Sequence, residues 1–341
     1  MYKVTVIGGG TGSFTILNGL KNFPDLDLAA IITMFDDGGS SGTLRDELGA
    51  LPPGDIRQCL VALSESDEIW RQVFNFRFNE GIFAGQNFGN LLITAFQQIT
   101  GSFEMALNFA GEILKTKGKV IPVTLDDVHL IARTPDGEVI VGEHKIDLKE
   151  KPIESLRFKP EPGYNPKAIE RLLNSDMIVI CPGDVYTSIL PNLMVRSMAK
   201  TIRASKALKV YICNIMTQKM HTANFRVIDF IKLIESYLGQ KDIFDFVLYN
   251  SRKPDEEFLA AYSQEGEFLV EFQEEDFVGR KTVFLGKDFL SQKIPMQVKG
   301  DNLRRALIRH DSIEVALTLY ELLKKESEIT WIKWTNESCC T

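Results

Sequence analysis

The run YKVTVIGGGTGS at residues 2–13 constrains this 341-residue chain more than any other stretch. Its first residues are rich in β-branched side chains, which suits a buried strand. Glycines at positions 8, 9, 10 and 12 follow, and a helix-like stretch occupies 12–22. A strand that ends in glycines and turns directly into a helix opens a βα unit. Its backbone N–H groups and helix N-terminus then face any anion bound there. The blander reading is a tight turn without a ligand. Ser13 stands at the third glycine position of the dinucleotide fingerprint, and no Gly-Lys-Ser/Thr follows, so neither that motif nor a Walker loop is present.

Elsewhere, short apolar runs alternate with amphipathic stretches, the pattern of parallel βα units. The spacing predicts strands at 27–35, 176–181, 208–213, 244–249 and 281–285, with helices dominating 55–116. Over 223–238, Phe225, Val227, Ile228, Ile231, Ile234 and Leu238 share one helical face, and a late helix is predicted over 311–325. The character changes at 119–160, where VHLIAR and EVIVGE flank Pro135-Asp136-Gly137 as a β-hairpin would. The expectation is one Rossmann-like α/β domain over 1–341, a doubly wound, mostly parallel sheet with helices on both faces. It carries a β-rich insertion at 119–160 and a C-terminal tail at 327–341.

Composition narrows the partners. Hydrophobic residues make up 44% and charged residues 25%, which excludes a disordered chain. The net charge of −7 disfavours salt-driven contact with nucleic acid or an anionic membrane, so neither is expected as a partner. Five scattered Cys form no CxxC pair and four His lack zinc-ligand spacing, which reads as a reducing compartment. The uncharged run 81–103 is long enough to span a bilayer, but it contains Gln86, Asn87, Asn90, Gln97, Gln98 and four glycines. No signal-peptide core opens the chain. The expectation is a cytoplasmic protein, as a monomer or a homo-oligomer.

Ligands of open parallel sheets bind beyond the strands' C-terminal ends. Four polar loops follow predicted strands, at 8–13, 36–42, 182–188 and 214–218, and topology places all four on one edge. Gly9, Gly10, Thr11 and Gly12 are candidates for phosphate contact. Asp36 and Asp37 end the second strand, where two adjacent acids before GGSSG suit Mg²⁺ beside phosphates; the alternative is one capping Asp and one solvated Asp. Ser40 and Ser41 are further phosphate donors. Asp55, after Pro52-Pro53-Gly54, reads as an N-cap by spacing alone. Asn90 near a helix start, and Thr187 and Ser188 before Pro191, suit caps or ligand contacts alike. Asp311 reads as the N-cap of the last helix and His310 as structural. No Ser-His-Asp or Cys-His catalytic set emerges.

These motifs, VIGGGTGS, DDGGSSG, LPPGDIR, NFGNL, PGDVYTSILPNL, CNIMTQ and RHD, occur in order between residues 6 and 311. Together they resemble the CofD-like superfamily, and in particular its YvcK-type gluconeogenesis-factor branch. The resemblance implies a Rossmann-like fold and a factor that binds UDP-sugars such as UDP-N-acetylglucosamine. Such factors support gluconeogenic growth and cell shape and have no assigned reaction. The alternative it implies is the CofD activity, Mg²⁺-dependent transfer of a phospholactyl group from a nucleotide-activated donor to a deazaflavin alcohol. It places Gly9–Gly12 at the nucleotide phosphates, Asp36 and Asp37 at the metal, and Asp55 and Asn90 along the same crevice. Thr187 and Ser188 fall near the nucleotide, and Tyr262 and Arg309 at the UDP-sugar. Under the transferase alternative, Asp36, Asp37 and Asp55 are the catalytic candidates, and Mg²⁺ is the one candidate cofactor. The sequence departs from the family pattern at Gln58, Gln86-Asn87, Cys181, Asp184 and Lys219-Met220-His221. Asp184 sets a negative charge beside the expected phosphate.

Overall fold

The structure is a computed structural model that describes residues 1–292 and 307–338, with side chains to Lys325. The chain opens with β1 (Tyr2–Gly8), α1 (Gly10–Leu20) and β2 (Leu26–Ile32). Five helices follow: α2 (Gly39–Leu48), α3 (Gly54–Leu63), α4 (Glu68–Asn75), α5 (Phe88–Thr100) and α6 (Phe103–Leu114). They lead to β3 (Lys119–Pro122). A small antiparallel sheet comes next, from β4 (His129–Arg133), β5 (Val139–Val141) and β6 (Ser155–Lys159), with α7 (Glu143–Asp147) inside it. The second half runs through α8 (Pro166–Leu173), β7 (Met177–Ile180), a single π turn at Val185–Ile189, α9 (Leu190–Met194), α10 (Met198–Ala204), β8 (Leu208–Ile212), α11 (Val227–Leu238), β9 (Phe246–Asn250), α12 (Glu256–Gln264), β10 (Val283–Lys287) and α13 (Ser312–Ser338).

Seven strands form one sheet in the order β10-β9-β8-β7-β1-β2-β3, every neighbouring pair parallel. Parallel strands need crossover helices, which cover both faces and bury the strands completely. Accordingly Val4, Val6, Ile7, Ile31, Val179, Val210 and Leu248 are all buried. One helical layer packs α1 against α3 and α13, and the other packs α10 against α8 and α11. From β1 the chain winds outward through β2 and β3, then returns to β7 and winds the other way. The strand order therefore reverses between β1 and β7, which is where an open α/β sheet opens a crevice.

Several predicted boundaries move. The second strand stops at Ile32 rather than 35, because Thr33 through Asp37 leave the ladder after the Thr33 amide donates to the Gly8 carbonyl at 3.2 Å. Phe225 precedes α11, whose entry is fixed by Arg226 and Asp229 as a reciprocal cap. The first residues of the 119–160 segment belong to the main sheet as β3, paired to β2, and only 129–159 form the separate antiparallel sheet. β4 and β5 make the predicted hairpin around Pro135-Asp136-Gly137, while β6 adds a third strand that the sequence reading did not single out. The last helix runs on to Ser338, through most of the segment read as a tail, and Cys339 and Cys340 lie outside the described residues. Among the described residues no helix is long and apolar enough to cross a membrane. The uncharged 81–103 run is the end of a hairpin, all of α5 and the first residue of α6.

Candidate functional site

The loops after β1, β2, β7 and β8 all leave the C-terminal edge of the sheet, as their motifs require. Side-chain amides tie them together. Asn214 donates to the Gly183 carbonyl at 2.7 Å and accepts from the Gly183 amide at 3.3 Å. Asn192 donates to the Gly8 carbonyl at 3.0 Å, which couples the π turn to the end of β1. The glycine turn itself is tightly enclosed. A Cβ on Gly12 would overlap the Pro182 carbonyl oxygen, one on Gly9 would meet Ser188 Oγ, and one on Gly10 would meet Asp55 and Gln58. Thr187 is buried beside this turn and Ser188 half-buried.

Asp55 is the residue that changes the expected picture. It lies in the first turn of α3, but its carboxylate reaches across to accept from the Gly10 amide at the N-terminus of α1. A half-buried side-chain carboxylate thus stands at the position a phosphate was expected to take. Burial, and then the charge of Asp36, push its pKa up to about 7. Asp36 is half-buried as well, accepts from the Gly38 amide at 2.9 Å and from Ser41, and is raised chiefly by desolvation. Thr11 donates to Gln58 Oε1 at 3.3 Å, so the departure at 58 supplies a partner to the glycine turn.

Asp37 does different work from its neighbour. Its Oδ1 accepts from the His144 amide at 2.9 Å, capping α7 and fastening the small sheet to the body. Ser40 donates to Gln86 at 2.8 Å and accepts from the Asn87 amide at 3.1 Å, which holds the 77–87 hairpin against α2. Asn90 is buried and accepts from Arg57 Nε at 3.0 Å, and its amide donates to Asn87, the N-cap of α5. Asp37, Ser40 and Asn90 therefore spend their described polar contacts on the scaffold that shapes the crevice.

The small sheet forms a roof. Besides the Asp37 contact, Lys219 pairs with Glu150, and His221 Nε2 lies 3.0 Å from the Lys149 carbonyl oxygen. Both come from the Lys219-Met220-His221 stretch that departs from the family pattern. The roof brings Glu143 and Asp147 over the crevice, two acids the sequence reading did not single out. Glu143 is half-buried and Asp147 exposed at its surface; partial enclosure by the surrounding protein raises the pKa of each, Glu143 further through the charges of Asp147, Asp36 and Asp55, and Asp147 through that of Asp184. Asp184 uses one oxygen to cap the π turn, accepting from Tyr186 at 2.8 Å and Thr187 at 3.1 Å. No sequence periodicity marks Glu143 or Asp147, because their approach depends on how the inserted sheet folds back.

The donor set bears on Mg²⁺. Among the described residues no group of three or more His, Cys, Asp or Glu is arranged to hold a metal ion. Mg²⁺ commonly takes one or two carboxylates and completes its shell with water and substrate phosphate. Asp36 and Asp37 suit that mode as carboxylates, although one oxygen of Asp37 is engaged by the His144 amide.

Tyr262 and Arg309 lie further along the same edge. Tyr262 lies on α12, and its hydroxyl accepts from the Ile308 amide at 3.3 Å. Beside it is a cavity of about 370 Å³ lined by Arg252, Lys253, Phe258, Leu290 and Arg309, among others. A larger cavity of about 870 Å³ lies at the β3 edge between α6 and α8 and holds none of the motif residues. His310 is buried with Nε2 3.1 Å from the Cys213 carbonyl oxygen, and burial lowers its pKa to about 4, so it is a neutral structural imidazole. Asp311 caps α13, accepting from Ile313 at 2.8 Å and Glu314 at 3.0 Å.

Comparison with known proteins agrees with this architecture. The sequence model of the family described as 2-phospho-L-lactate transferase CofD matches residues 4–289. A protein of Bacillus subtilis named gluconeogenesis factor is 38% identical over 95% of this chain and 98% of its own. One of the same name from Listeria innocua is 40% identical over 95% and 97%. A crystal structure of a UPF0052-family protein from Bacillus halodurans superposes with a TM-score of 0.86 at 34% identity, covering 94% of this chain and 98% of that one. With the family's ordered motifs assembled at one sheet edge, and with relatives matched over almost their whole length, the chain belongs to the CofD family, in its gluconeogenesis-factor branch.

Proposed function

We propose that this protein is a nucleotide-sugar-binding factor, taking a UDP-N-acetylglucosamine-like ligand along the C-terminal edge of its sheet. In this role it supports gluconeogenic growth and the maintenance of cell shape. The observation that carries the reading is the distance between two parts of that edge. The glycine turn after β1 and the Arg309-lined cavity beyond β9, with Tyr262 next to it, are three strand spacings apart, about 14 Å across the sheet. A base, ribose, pyrophosphate and sugar joined end to end span such a length, whereas a mononucleotide does not. The uridine end occupies the Tyr262–Arg309 side, and the pyrophosphate lies toward Thr187, Ser188 and Gly9–Gly12. Because Asp55 sits on the α1 N-terminus, the pyrophosphate meets that turn with Asp55 protonated or displaced.

Calorimetric titration with UDP-N-acetylglucosamine, GDP and NADH, each with and without Mg²⁺, tests the reading. The expected result is saturable UDP-sugar binding that needs no Mg²⁺ and weakens at least ~10-fold, about 1.4 kcal/mol, in Arg309→Ala. Absence of UDP-sugar binding in the folded protein would refute it.

A second reading rests on Asp36 and Asp55, two half-buried carboxylates near the glycine turn. In a CofD-type phospholactyl transferase Asp36, with Asp37 beside it, would hold Mg²⁺, which supplies neutralisation of the donor's pyrophosphate charge. Asp55, with its pKa near neutrality, would accept the proton of an acceptor hydroxyl placed beside it. Preference for GDP with Mg²⁺, lost in Asp36→Asn, would favour this reading over the first.

A further inference from the structure

Two chain segments, 123–128 and 160–165, join the small sheet to the body. They are clasped together where Asp126 accepts from the Gly163 amide at 2.7 Å. An Arg45–Asp127 ion pair ties the first of them to α2, and Phe158 packs on Phe35, ring centroids 4.6 Å apart. Beyond that clasp, α7 packs against the π turn at Val185–Ile189. There Asp147 stands between two other acids, in side-chain hydrogen bonds with Glu143 on its own helix and with Asp184 at the head of the π turn.

Polar groups at this contact are incompletely satisfied. Asp184 Oδ1 accepts from the Tyr186 and Thr187 amides, but its Oδ2 is buried and receives no N–H and no hydroxyl of the described residues. Thr187 is only 1% exposed, and its Oγ1 faces Asp147 without reaching a hydrogen bond of ordinary geometry. Two facing carboxylates repel when both are ionised, and the contact becomes favourable when one carries a proton and donates it to the other. Asp147 is exposed to water, so it can exchange that proton with the solvent.

We propose that a proton shared between Asp147 and Asp184 latches the roof onto the π turn, and that the roof loosens when alkaline conditions remove it. The surroundings single out this pair. On α7, Glu143 is the adjoining acid, itself acted on by the charges of Asp36 and Asp55, while His144 and Lys145 are exposed and Lys149 just beyond pairs with Glu138. On the π turn, burial pushes the Tyr186 phenol up to about 12, so it stays neutral. β5 carries no titratable side chain; β4 offers His129 and Arg133, both exposed, with Arg133 paired to Glu154 at 3.6 Å. Partial enclosure and the Asp184 charge push the Asp147 carboxyl up to about 8, above its ordinary 3.8. The closed roof therefore binds the proton more tightly than the open one, and the latch is complete at low pH and lost as pH rises through about 8. What such a latch controls rests on the nucleotide-sugar reading of the crevice; whether it exists is measured without a ligand, so the two fail separately.

Hydrogen exchange of the full chain, with a chelator present and rates corrected for intrinsic pH dependence, tests the latch at residues 143–148. Protection there should fall at least ~10-fold between pH 6 and pH 9, while protection in β1 and β7 stays level. Asp147→Asn and Asp184→Asn each replace the shared proton with an amide N–H that does not titrate. Each should keep its pH 6 protection at pH 9, a gain that a merely structural side chain would not give. His221→Asn, which alters the other contact between roof and body, should leave the fall in place. Protection that is level with pH in the wild type, a fall that persists in both of the first two variants, or a fall abolished by His221→Asn would overturn the assignment.

Discussion

Gly12 has no room for any side chain, because the carbonyl of Pro182 occupies the space a Cβ needs. Gly12→Ala should therefore cost about 3 kcal/mol, seen as a lower urea midpoint with an unchanged slope. Asp55 gives a pH signature. Its folded pKa of about 7 lies above the ordinary 3.8, so the folded state binds the proton more tightly than the unfolded chain. That contribution to stability is complete below pH 4 and is lost as pH rises to about 7. Asp55→Asn, which keeps an acceptor for the Gly10 amide, should stabilise the ligand-free protein by on the order of 1–3 kcal/mol at pH 8 and scarcely at pH 4. Thermal melts of both proteins across that range check the sign. At this scale the sequence was informative about residue types and ambiguous about their use. Asp311 is the cap its spacing suggested, whereas Asp55 caps a helix other than its own, which spacing along one helix has no means to reveal.

At the scale of elements, α7 decides whether the crevice is covered. Asp37→Ala removes its cap and should loosen the roof by about 1 kcal/mol, while Asp37→Asn should cost a few tenths. Hydrogen exchange should rise at 143–148 and stay unchanged in β1 and β7. If Asp37→Ala left exchange at 143–148 unaltered and instead abolished Mg²⁺-dependent binding, the residue would be a metal ligand after all. The hairpin of β4 and β5 was legible because a period-2 pattern flanked a Pro-Asp-Gly turn. The third strand, β6, was not singled out: its five residues alternate strictly, but no turn signal ties so short a run to the hairpin, and it gains its place by pairing with β4. The family-atypical Lys219 and His221 likewise acquire a role only once the roof is folded down on them.

For the whole molecule, a ligand that runs from the switch point to α12 predicts separable losses. Tyr262→Ala should weaken uridine and UDP-sugar by similar factors, roughly 10-fold. Ser188→Ala should weaken UDP-sugar and leave uridine unaffected. Calorimetry on the two variants with the two ligands decides; equal loss of both ligands in both variants would mean that the ends do not act on separate parts of the ligand. This arrangement follows from the seven-strand order, which sets how many strands lie between the loops after β1 and β9.

The sequence by itself determined the class of fold, the edge at which the polar loops gather and the family to which they belong. Those are carried by local signals: buried-strand periodicity, glycines where a strand turns into a helix, and motifs in fixed order. Only the tertiary structure decided the strand order, the reach of Asp55 to the α1 N-terminus, the assignment of Asp37 to the roof, and the approach of Glu143 and Asp147 to the floor. Each of these depends on groups far apart along the chain, such as Gly10 and Asp55, Asp37 and His144, or the paired Val4 and Met177 of β1 and β7, brought together by packing. Periodicity and capping rules act within a few residues, so they have no bearing on which distant carboxylates come together.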